Sequence, residues 1–217
     1  MKKFAVSTVL AISAFCLLSW LSPLKAYAGT VTLTLENVGP GNNSGGVFTY
    51  PYNFSIDGKS PYVSLMCYIY YEEIYEGETW TATVVPINSS SSKDDLELAY
   101  LFSVASNPST PPATAADAQW AAWELFDSAL TTAPTQNGVS QAGVTTELTN
   151  AANAISTDPS EFYSGYQLYV PDYGWPEGDG TPQSFIGPTP EPSSLILLGS
   201  GLLAAAGALY RRKRRTA

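Results

Sequence analysis

From residue 30 to residue 87 the apolar positions recur with a period of two, the spacing of strands with one covered face. In TVTLTLENV (30–38) Val31, Leu33 and Leu35 share a face. VFTYPYNFSI (47–56) alternates as well but carries Pro51, which bends a strand or confines it to an edge. In YVSLMCYIYY (62–71) Val63, Leu65, Cys67 and Ile69 point one way, with Tyr62, Ser64, Met66, Tyr68 and Tyr70 opposite. ETWTATVVPI (78–87) follows Gly77 and reads as the hairpin partner of that strand. After NSSSSKDD (88–95) the period changes. Leu96 to Ser103 predicts a short helix with Asp94 or Asp95 at its start, and Pro111-Pro112 ends that region. Thr114 is placed to cap a second helix, Ala115 to Leu130, and a third begins near Ser140. EFYSGYQLYVP (161–171) and PQSFIG (182–187) return to strand. Strands, a helical insert and strands again predict an α+β fold, a β-rich sandwich or barrel-like domain. There is no internal repeat.

Two stretches stand outside this pattern. In MKKFAVSTVLAISAFCLLSWLSPLKAYA (1–28) Lys2 and Lys3 precede an apolar run from Phe4 to about Leu21, and Ala26-Tyr27-Ala28 stands before Gly29. Those are the three parts of a secretory signal peptide cleaved after Ala28, with an uncleaved N-terminal anchor as the alternative. Phe15 before Cys16 does not suit a lipoprotein signal, which needs a small residue there. At the other end, residues 195–210 carry no charge and are followed by Arg211, Arg212, Lys213, Arg214 and Arg215. Sixteen helical residues span roughly 24 Å, slightly less than a hydrocarbon layer of ~30 Å, so they predict a membrane helix with help from a thinned bilayer. The basic cluster stays cytoplasmic and places everything before Glu191 on the far side. The chain therefore divides into a signal peptide (1–28), an exported domain (29–187) and a terminal segment (188–217).

That segment resembles a PEP-CTERM sorting signal. Pro190-Glu191-Pro192, a short apolar helix with Gly199, Gly201 and Gly207, and a terminal basic tail occur in that order. The resemblance implies processing by exosortase, a membrane-embedded transpeptidase-like enzyme of Gram-negative bacteria that make extracellular polysaccharide. It also implies a chain membrane-anchored before processing, then released to the cell surface or extracellular matrix. A simple tail anchor with a chance Pro-Glu-Pro is the alternative.

Charge narrows the function of what lies between the ends. The chain nets −9, yet from Gly29 to Gly187 only Lys59 and Lys93 are basic, against eighteen acidic residues. Such a body repels nucleic acid and anionic lipid. It suits a hydrated surface layer or divalent-cation binding, with extracellular polysaccharide or another surface ligand as partner. Histidine is absent, which removes Ser-His-Asp and Cys-His catalysis by inventory. No metal site, cofactor motif or phosphate loop is present: GPGNNSGG (39–46) reads as a hairpin or loop. Glu72-Glu73 and Asp94-Asp95 are neighbours that point different ways, so they read as solvated charge rather than a catalytic pair. The expectation is a structural or adhesive surface protein and not an enzyme; the alternative is a secreted polysaccharide-active enzyme that works with paired carboxylates.

If the signal is removed, Cys67 is the one remaining cysteine, and it falls on the apolar face of its strand. In AADAQWAAWELFDSAL the helical stripe Ala115, Gln119, Ala122, Phe126 and Ala129 is apolar except for Gln119, with Trp123 beside it. A buried amide without partners costs on the order of 1–3 kcal/mol, so Gln119 must be satisfied or must have reacted. Cys67 and Gln119 are either an inert buried pair or two halves of a bond.

SLMCYIYYEEIYEGETW (64–80) and Gln119-Trp120-Ala121-Ala122-Trp123 resemble the Cys–Gln thioester domain of bacterial surface adhesins, which pairs a strand cysteine with a helix Gln-x-Ala-x-Trp. The resemblance covers residues 60–127. It departs at Ala118, where the family often has Thr, and at Ile69, where an acid is usual. It implies an internal thioester between Cys67 and Gln119 that acylates an amine or hydroxyl on a host or matrix molecule.

Overall fold

The structure is a computed structural model. It describes residues 29–39, 43–44, 47–71, 73–130, 138–163, 165–172, 182–189 and 201. The exported body falls in one compact unit, Ala26–Thr189. Met1–Lys25 and Pro190–Ala217 belong to a second unit, which apart from Gly201 lies outside the described residues. The predicted signal peptide, Pro190, Glu191, Pro192, the stretch 195–210 (Gly201 aside) and the basic tail from Arg211 to Arg215 lie outside the described residues. Among the described residues no helix is long and apolar enough to cross a membrane.

Among the described residues the body has eight strands and three α-helices. The strands are β1 (Thr30–Val38), β2 (Asn43–Ser44), β3 (Val47–Phe48), β4 (Tyr52–Ile56), β5 (Lys59–Cys67), β6 (Thr79–Pro86), β7 (Tyr166–Pro171) and β8 (Phe185–Pro188). Between β6 and β7 come α1 (Lys93–Ser106), α2 (Pro112–Phe126), α3 (Gln141–Thr157) and a 3-10 turn, Pro159–Phe162. Six strands close into a barrel in the order β1-β4-β5-β8-β7-β6, and β1 also pairs with β6. Every pairing is antiparallel. Closure satisfies the backbone groups that open sheet edges would leave unpaired. The β2–β3 hairpin stands apart as its own small sheet.

The alternating pattern sets the barrel's interior. Leu33 and Leu35 of β1, Phe54 of β4, Leu65 of β5 and Phe185 of β8 are fully buried. Phe54 meets Phe185 at 4.8 Å and Trp80 at 5.6 Å between ring centroids, edge-on packing that adds to the area buried. On β5, Met66 is as buried as its neighbours Leu65 and Cys67, so both faces of the strand end are covered. Met66 pairs with Ile186, also fully buried, and α1 packs on β8 from outside the barrel.

Several elements depart from the sequence expectation. The strand from residue 62 stops at Cys67, with Tyr68 N–H still donating to the Ser184 carbonyl at 3.1 Å. The segment at 78–87 does not pair with that strand: β6 lies between β1 and β7, since barrel closure gives it two other neighbours. The first helix starts at Lys93, with Ser92 and Asp95 in a reciprocal capping box that places Asp95 inside the first turn. The second starts at Pro112, where proline's missing N–H costs nothing, so Thr114 is interior rather than a cap. It ends at Phe126, which leaves Ala129 outside the helix and exposed. Residues Ala116 through Trp123 are all buried, so α2 is enclosed all round rather than along one stripe. Ser140 caps α3 as expected, accepting from Gly143 N–H.

Candidate functional site

Cys67 is the last residue of β5, and Tyr50 lies just before β4, the antiparallel neighbour of β5. Antiparallel pairing therefore brings both to the same rim of the barrel. Four alanines of α2 (116, 118, 121 and 122) let that helix seat closely within the domain. Gln119, also fully buried, reaches the rim and is held from both ends. Its Nε2 donates to the Cys67 carbonyl at 2.6 Å, and its Oε1 accepts from Tyr50 N–H at 3.2 Å. The same Nε2 stands 3.9 Å from Cys67 Sγ. The two residues singled out in the sequence, 52 positions apart, are thus neighbours inside the protein.

Cys67 is a free, fully buried thiol. Burial pushes its pKa up to about 12, against smaller opposing effects of the Tyr52 hydroxyl and the Trp123 indole beside the sulfur. Tyr52 also donates to the Phe48 carbonyl at 2.5 Å, and its own pKa is raised, chiefly by burial. Trp123 is 2% exposed, and its indole lies beside the Cys67 sulfur. Its ring lies 5.0 Å from that of Trp120 and 5.3 Å from that of Tyr70.

These flanking groups carry little signal in the sequence. The Tyr50 contribution is a backbone N–H, which any non-proline residue offers. Trp123 borders Gln119 on the helix at i+4, the single hint available. A second buried feature lies behind the rim. Asp117, two residues before Gln119, accepts from Ser140 N–H at 3.0 Å and so ties α2 to the start of α3. Burial raises the pKa of Asp117 and of Glu147, and the proximity of Asp117 raises Glu147 further. Among the described residues no group of three or more His, Cys, Asp or Glu side chains is placed to hold a metal ion.

A barrel with a helical cap that presses a glutamine amide onto a cysteine defines a domain built around one buried Cys–Gln pair. The terminal segment defines where the chain goes: residues 188–215 match the model of the PEP-CTERM protein-sorting motif. The chain therefore carries a PEP-CTERM sorting motif, which implies export and processing by exosortase. No curated protein and no solved structure matches the chain.

Proposed function

We propose that Cys67 and Gln119 close into an internal thioester and that the exported domain is a covalent adhesin of the surface or biofilm matrix. The thiol sulfur attacks Gln119 Cδ, a bond from Sγ to Cδ forms, and the bond from Cδ to Nε2 breaks. The thiol proton leaves with Nε2 as ammonia. One observation carries this: the amide is held against the sulfur at 3.9 Å with its oxygen already on the Tyr50 N–H. Fixed proximity supplies the effective concentration that so poor an electrophile needs. A preset donor at Oε1 takes up the negative charge that develops during attack. The finished thioester would acylate an amine or hydroxyl on a matrix molecule, forming an amide or ester and regenerating the Cys67 thiol. That reaction consumes Gln119 once, so the domain acts as a single-use crosslinker and not as an enzyme.

A second possibility has its own support. Both ends of the amide are already hydrogen-bonded, which suits a structural latch of α2 onto the barrel rim. Intact mass separates the two. Freshly purified mature domain should be lighter than its residues by one ammonia, and Cys67→Ala should restore the full mass of that variant. Wild-type protein at full mass leaves only the latch.

A further inference from the structure

Beside the buried pair opens a cleft of about 670 Å³ with Tyr52 and Trp123 on its inner wall. Its outer walls are Phe48, Tyr70, Tyr71 and Tyr75, with Glu73 and Glu76 among them. Phe48, Tyr71 and Tyr75 are 48%, 68% and 66% exposed, three large apolar surfaces facing water around one opening. Single exposed aromatics need no explanation, but a cluster around a cleft does. The carboxylates are held in place. Tyr75 donates its hydroxyl to Glu73 at 2.9 Å, and Val38 N–H donates to Glu76 at 3.2 Å. Neither carboxylate meets a cation of this domain: Lys59 pairs with Asp57, and Lys93 with Glu97. The occupant must bring both a positive charge and an apolar face.

We propose that this cleft binds an amino-sugar segment of a glycan. The CH face of a pyranose ring covers an aromatic ring, and a free ammonium on the sugar meets Glu73 and Glu76 with the aromatic faces reinforcing the attraction. Size favours a glycan over a lysine side chain, since a space of about 670 Å³ is that of a ligand with several rings. The inner wall adds the buried indole face of Trp123. A sugar seated here lies against Tyr52 and Trp123, the side chains beside the Cys67 sulfur, and recognition does not require the thioester to have formed.

The test uses the exported domain with Cys67→Ser, which cannot form the thioester, so binding is scored separately from that bond. A glucosamine trisaccharide, its N-acetylated counterpart and a lysine-containing peptide are titrated by calorimetry and by tryptophan fluorescence. The glucosamine trisaccharide should bind about tenfold or more tightly than the acetylated sugar, which lacks the charge. Glu73→Gln combined with Glu76→Gln should bring it down to the acetylated level at an unchanged melting temperature. Absence of binding, equal binding of the two sugars, or equal or tighter binding of the peptide would overturn the proposal.

Discussion

Gln119 touches Cys67 twice, through a 2.6 Å hydrogen bond to its carbonyl and a 3.9 Å approach to its sulfur. The first contact fixes the second. With Oε1 anchored on Tyr50 N–H, the amide has little freedom to turn away, and attack by the sulfur needs a short displacement rather than a search.

A thioester at this position should react with small amines. Methylamine should add to Gln119 and release Cys67 as a thiol that labels after unfolding. Gln119→Ala should show that thiol before any treatment and take up no methylamine. Peptide mass mapping reads both outcomes.

The sulfur's protonation state should set how fast the bond closes. The thiolate is the nucleophile, and with the pKa pushed up to about 12 almost all of Cys67 is protonated at neutral pH. The rate of ammonia loss should rise with pH throughout the neutral and mildly alkaline range. Tyr52→Phe removes a hydroxyl that steadies the thiolate and should slow closure by about tenfold. Intact mass followed over time in fresh preparations checks both effects.

Asp117 and Glu147 should make the fold more tolerant of acid than of base. Their folded pKa values lie above the ordinary 3.8 and 4.5, so the folded chain holds these protons more tightly than the unfolded one. The stabilisation is fully present below the ordinary values and is lost as pH rises through the raised ones. Glu147→Gln stays neutral throughout and should flatten this fall in the denaturation midpoint between pH 4 and pH 7. Asp117→Asn should do the same while keeping an acceptor for Ser140 N–H.

Gly143 should not tolerate a side chain. A Cβ there would lie 2.0 Å from Asp117 Oδ2, so the carboxylate must move and its bond from Ser140 N–H is put at risk. Gly143→Ala should cost about 1–3 kcal/mol in urea unfolding, the range of an overpacked site. Ser92→Ala, which only breaks the capping box of α1, should cost about 1 kcal/mol.

Local elements were legible where their cause is local. Alternation placed β1 and β6, and the Ser140 cap placed the start of α3. The proline pair misled the start of α2, because Pro112 opens the helix instead of ending a loop. The partner of β6 could not be read from Gly77, since a turn residue promises a hairpin only when the neighbouring ladder position is vacant, and closure filled it with β1 and β7.

Read alone, the sequence determined the residue chemistry and the route: a domain without histidine, rich in acid, with a single cysteine outside the N-terminal segment and a sorting motif after it. Only the tertiary structure decided that Cys67 and Gln119 meet, that Tyr50 N–H stands at the amide oxygen, and that Tyr71, Tyr75, Glu73 and Glu76 surround one cleft. The physical reason is sequence separation. Propensity and period act over a few residues, whereas these contacts join a strand end to a helix 52 positions away through the closure of a barrel and the seating of its cap.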